Sequence, residues 1–148
     1  MYIKDNKLTI FSWSLYDFAN QPFTTIIVTF IYSAFFVKVI ADNEQIGTTM
    51  WANAISITAI VVAVLSPLLG AIADSGGYRK FFLIFFTWIC AIFSMLLYFP
   101  QSGDEFLALT LFVIANISFE MGTVFCNSYL SDLSEKENTG SISGFAWG

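Results

Sequence analysis

Four times in this chain an apolar run long enough to cross a lipid bilayer is followed by a short polar turn. The hydrocarbon core is about 30 Å thick, and a helix needs roughly 20 mostly apolar residues to cross it. No other feature restricts the fold as much. In lipid every backbone N–H and C=O must be satisfied within the protein, which leaves helices or a closed barrel. Barrel strands are about ten residues of alternating polarity, whereas these runs are longer and apolar throughout. The pattern predicts spans at 11–40, 50–73, 81–99 and 106–130, and the start of a fifth at 141–148. The expected fold is all-α: a polytopic transmembrane helical bundle forming a single domain over 1–148.

Composition agrees. Hydrophobic residues make up 57% of the chain and charged residues only 11%, against about 25% charged in soluble domains. Four runs of this length on such short loops do not suit buried soluble helices. Histidine is absent, which removes histidine triads and histidine metal sites. Nothing in the sequence calls for a cofactor or a metal, and no basic patch suggests nucleic acid. No nucleophile–base pair stands out, so an enzyme is the least favoured class. Cys90 and Cys126 lie inside apolar runs and read as packing residues. The opening MYIKDNKLTI is polar and lacks a cleavage-site pattern, so the first run reads as a span.

Lysine and arginine set the expected orientation. Lys4, Lys7, Arg79, Lys80 and Lys136 fall on one side of the predicted spans. Lys38 alone falls on the other, at a helix end from which it can snorkel. The N-terminus is therefore expected to be cytoplasmic, with the turns holding Asp42, Glu44, Asp104 and Glu105 facing outward.

Two spans carry polar stripes. In the fourth, Asn116, Glu120, Thr123 and Asn127 recur in steps of 4, 3 and 4 and share one helical face. A charge at the bilayer centre costs about 2.5–3.5 kcal/mol even on lenient scales, so Glu120 must face protein or water. A substrate or proton-coupling site is the functional reading, and a structural hydrogen bond to a neighbouring helix is the plainer one. In the first span Asp17, Asn20 and Thr24 also share a face. Asp17 lies toward the end of a run longer than the hydrocarbon core, where a solvated carboxylate is an equal reading. The two stripes would line one cavity if spans one and four face each other. The second span adds a seam of small residues, Ala52, Ser56, Ala59, Ala63, Ser66 and Gly70, suited to close helix packing. The third, apolar nearly all round, reads as peripheral.

Between spans two and three stands GAIADSGGYRK, residues 70–80. It resembles the signature loop of the major facilitator superfamily, with Gly70, Asp74, Gly77, Arg79 and Lys80 in register. Ser75 departs from the basic residue usual there. Asp74 can accept charge-assisted hydrogen bonds from Arg79, which suits a cytoplasmic gating latch. The plainer reading is a tight turn with a positive-inside anchor. Residues 13–36, with Tyr16-Asp17-Phe18-Ala19-Asn20, and residues 127–148 resemble the vacuole-effluxer-like branch of that superfamily.

The resemblance implies a secondary transporter of two six-helix lobes with its site between them. The chain is then expected to be the N-terminal part of such a protein, with the C-terminal lobe as its missing partner. It implies the lipid bilayer as surroundings, the bacterial cytoplasmic membrane as location, and a small-molecule substrate, with an amino acid as the suggested class. Two alternatives stand beside it: a small four-helix dimeric proton-coupled transporter, and a non-transport membrane scaffold or assembly subunit.

Overall fold

The computed structural model describes residues 7–129. The expected fifth helix at 141–148, Lys4 and Lys136 lie outside the described residues. The described chain forms four helices that run up and down: α1 (Phe11–Ile40), α2 (Glu44–Gly76), α3 (Arg79–Leu96) and α4 (Glu105–Ser128). All four are long and apolar enough to span a membrane. The backbone of α1 is already helical from Lys7.

The helix ends follow from local chemistry. α2 begins at Glu44, earlier than the apolar pattern suggests, because Asn43 caps it. Asn43 Oδ1 accepts from the backbone N–H of Gln45 at 2.8 Å and of Ile46 at 3.3 Å. Thr48 and Thr49 fold their hydroxyls back onto the carbonyls of Glu44 and Gln45. A segment that reads as a polar connector thus becomes a first helical turn. α2 continues through Pro67 for 33 residues, a length of about 50 Å at 1.5 Å per residue. Gly77 stops it at φ 68°, a left-handed conformation that favours glycine. The N–H of Tyr78 closes the turn on Ala73 O at 3.0 Å.

At the opposite end of the bundle, Gly103 adopts φ 91°. Its N–H donates to Ile40 O at 3.0 Å, and Asp42 N–H donates to Glu105 Oε1 at 2.8 Å. These bonds join the α1–α2 connection to the α3–α4 turn. The Gly103 end and the Gly77 end are the two faces of the bundle.

Aromatic packing fills both ends. Near Gly103, Trp51 of α2 lies against Phe112 of α4 at 4.0 Å between ring centroids and against Phe36 of α1 at 5.4 Å. Phe36, Ile40 and Phe112 are fully buried there. Toward the Gly77 end, Phe125 of α4 stacks on Phe82 and Phe86 of α3. α4 is the central helix, packing most extensively on α3 and then on α2. α3 buries one face and exposes Phe81, Ile84, Phe85, Trp88, Ile92 and Met95 on the other. In water such a surface would be a liability, and in a bilayer it is the lipid face of an integral membrane protein.

Candidate functional site

The polar stripe of α4 has a definite setting. Asn116 is buried, Thr123 half-buried, and Glu120 and Asn127 exposed. Asn116 and Glu120 open into a cavity of about 320 Å³ whose other wall is α2, at Ile55, Thr58, Ala59, Val62 and Ala63. Ala59 and Ala63 belong to the small-residue seam. Their short side chains leave the room that a carboxylate in mid-span requires. The neighbouring hydroxyls are already engaged: Thr58 Oγ1 donates to Ala54 O, and Thr123 Oγ1 to Phe119 O. Among the described residues, neither the Asn116 amide nor the Glu120 carboxylate has a hydrogen-bond partner. The cavity therefore holds an acceptor and a two-donor amide on apolar walls, a combination that can take up a proton or a small polar solute.

α1 and α4 do meet. The buried Trp13 Nε1–H donates to Cys126 O at 2.9 Å. The Tyr16 hydroxyl donates to Thr87 Oγ1 of α3 at 2.6 Å, since Thr87 gives its own proton to Leu83 O. It also lies over Gly122, where an added Cβ would approach it to 3.3 Å. Phe23 stacks on Phe119 at 4.7 Å.

From mid-span to the Gly77 end, α4 thus meets α1 through 119, 122 and 126, set round the helix from 116 and 120. Glu120 and Asn116 share their cavity with α2 and not with Asp17 or Asn20, which are half-buried on α1. Thr24 is exposed and falls in a stretch of π-helix, Phe23–Phe30. Helical bonds that reach back five residues turn the chain less per residue than α bonds. The face shared by Asp17 and Asn20 under α winding therefore does not carry on to Thr24. Sequence reasoning missed the α2 wall, the Trp13 and Tyr16 anchors and the π winding. The glycine at 122 opposite an aromatic was the one available signal for the helix contact.

The 70–80 turn is compact. Arg79 Nε and Asp74 Oδ1 form an ion pair at 2.6 Å, partly open to solvent. Gly77 supplies the left-handed turn that lets Arg79 reach back to Asp74. Lys80 is exposed. A Cβ at Gly70 would meet nothing within 4 Å among the described residues. Asp74→Asn is expected to insert normally, because the turn rests on Gly77. It should shift thiol accessibility on that face. Unchanged accessibility would reduce the loop to an anchor. Among the described residues no cluster of acidic, cysteine or histidine side chains suits a metal ion.

The family described as vacuole effluxer Atg22 like matches residues 46–141, from the first turns of α2 to beyond α4. The uncharacterized MFS-type transporter YxiO of Bacillus subtilis (strain 168) is 28% identical over 140 residues, 93% of this chain and 33% of its own length. Autophagy-related protein 22 of Chaetomium globosum is 33% identical over 87 residues, covering 58% of this chain and 13% of that protein. Its counterpart in Gibberella zeae is 34% identical over 87 residues. The chain spans about a third of YxiO and a smaller share of the fungal relatives. No solved structure matches. Four membrane-length helices, the signature turn between the second and third, and these matches together show that the chain belongs to the vacuole effluxer Atg22-like family of major-facilitator-type transporters.

Proposed function

We propose that the chain contributes α1–α4 to a secondary active transporter that moves a small solute by alternating access. Glu120 and Asn116 form its proton-coupling or substrate site. The observation that carries this reading is the unpartnered Glu120 carboxylate at mid-helix, beside a cavity whose α2 wall includes Ala59 and Ala63. An ionisable group at membrane depth marks a solute or proton pathway by default. An amino acid is the proposed substrate class, since a carboxylate and an amide suit an ammonium group beside an apolar side chain. The Asp74–Arg79 pair serves as a latch on the Gly77 face.

The protein from its whole reading frame, in proteoliposomes, should exchange or accumulate labelled amino acids, and an imposed proton gradient should alter the rate. Absence of movement for the whole set, with or without the gradient, would overturn the proposal.

The Gly77 end is proposed to face the cytoplasm of a bacterial cell, because Arg79 and Lys80 cluster there while the acidic turns lie at the Gly103 end. With Cys90 and Cys126 replaced, an impermeant thiol reagent on intact cells should label Ser102→Cys and spare Ser75→Cys. The reverse pattern would invert the topology.

A further inference from the structure

α1 is not wound uniformly. It is α-helical to Pro22, π-helical over Phe23–Phe30, α-helical over Ile31–Phe35 and π-helical again over Phe36–Ile40. The N–H of Ile31 bonds to Ile26 O, five residues back. The N–H of Ala41 bonds likewise to Phe36 O at 2.9 Å. Each such ring encloses one residue more than an α turn does. Pro22 adds to this, since it has no N–H to give to the turn before it. π turns are rare and occur frequently at functional sites.

Both ends of α1 are fixed. Toward the Gly77 end, Trp13 is bonded to the α4 backbone and Tyr16 to Thr87 of α3. Toward the Gly103 end, Phe36 and Ile40 are fully buried and Ile40 O accepts from Gly103. Between these anchors, Phe23–Phe30 contains no buried residue. Thr24, Thr25 and Thr29 lie exposed in it, and none of their hydroxyls has a hydrogen-bond partner among the described residues. The segment's first ring, Phe23, stacks on Phe119, next in sequence to Glu120.

We propose that the π-wound stretch Phe23–Phe30 is a register switch, in which surplus turn length slides along α1 between two fixed ends and rotates Thr24, Thr25 and Thr29 about the helix axis. A helix held at both ends cannot turn as a rod. A helix with a surplus residue can, because moving the π turn past a residue rotates that residue and leaves the anchors in place. The Phe23–Phe119 stack passes the state of the switch to the segment bearing Glu120. The device rests on the transport reading for its purpose, but its geometry stands independently.

The test removes the surplus. Deletion of Thr25 from the protein of the whole reading frame should let the segment wind as an α-helix with both anchors in register. The variant should insert at parental levels. Its turnover should fall roughly tenfold or more, because the conformational step is lost. In otherwise cysteine-free protein, N-ethylmaleimide labelling of Thr25→Cys and Thr29→Cys should differ between vesicles with and without an imposed proton gradient.

Failure of the deletion to insert would show that the residue is not surplus, and parental turnover would show that it is not used. Labelling unaffected by the gradient would show a static segment. Each of these results would overturn the switch. If the parent moves no solute, the transport reading fails while insertion and labelling still decide the switch.

Discussion

Glu120→Gln is expected to reach the membrane in normal amounts and to lose concentrative transport. Glutamine keeps the size of the side chain and much of its hydrogen bonding but cannot gain or lose a proton at working pH. The cavity supplies no replacement: the Thr58 hydroxyl, bonded to Ala54 O, does not ionise at working pH, and neither does the Asn116 amide. If Glu120 couples solute to protons, the parent's rate should follow an imposed proton gradient and the Gln variant's should not. Residual exchange without accumulation would be the signature of lost coupling. Glu120→Leu should also lose transport, while its insertion should be no worse, since leucine at mid-span removes a cost of about 2.5–3.5 kcal/mol. The structural alternative gives the opposite result: Gln would transport like the parent and Leu would fold poorly. A Gln variant with unchanged rate, affinity and gradient dependence would remove Glu120 from the mechanism.

Residues 1–148 alone should insert but give solute uptake no greater than empty vesicles. α2 exposes Ala52, Ser56, Ala59 and Ala63 along one face, beside the cavity that holds Glu120. Alternating access requires a second body to rock against such a face, and the described residues offer none. The chain's span of 33% of YxiO points the same way. The measurement is uptake by the purified segment in proteoliposomes, with circular dichroism to establish that it is helical. Saturable uptake would overturn the expectation and restore the small dimeric transporter.

How much of this was legible beforehand depended on which physical rule governed each residue. The spans were legible because a bilayer imposes a length and a polarity that few other environments do. The Asp74–Arg79 pair was legible because a glycine turn between opposite charges leaves little choice of partner. The extent of α2 was hidden, since the residues before 50 look polar until Asn43 is seen capping them and the threonines bonding back. The helix that faces Glu120 was hidden for a different reason. Helical spacing shows which residues share a face, but not which neighbour that face meets. The α2 seam and the α4 stripe were each visible, and their apposition was not. The π winding left no mark in the periodicity, because an apolar run such as FTTIIVTF supports several registers equally.

The length of α2 has a mechanical consequence. A rod of about 50 Å in a hydrocarbon layer of about 30 Å overshoots it and behaves as a lever with its fulcrum near the midplane. Rotating it by about 10° moves a tip about 25 Å from the fulcrum by roughly 4 Å. Asp74 is near one tip, and its 2.6 Å bond to Arg79 ties that tip to the first residue of α3. A displacement of that size exceeds what a hydrogen bond tolerates. A slight tilt beside Glu120 would therefore be magnified at the tip, where it would strain the Asp74–Arg79 bond.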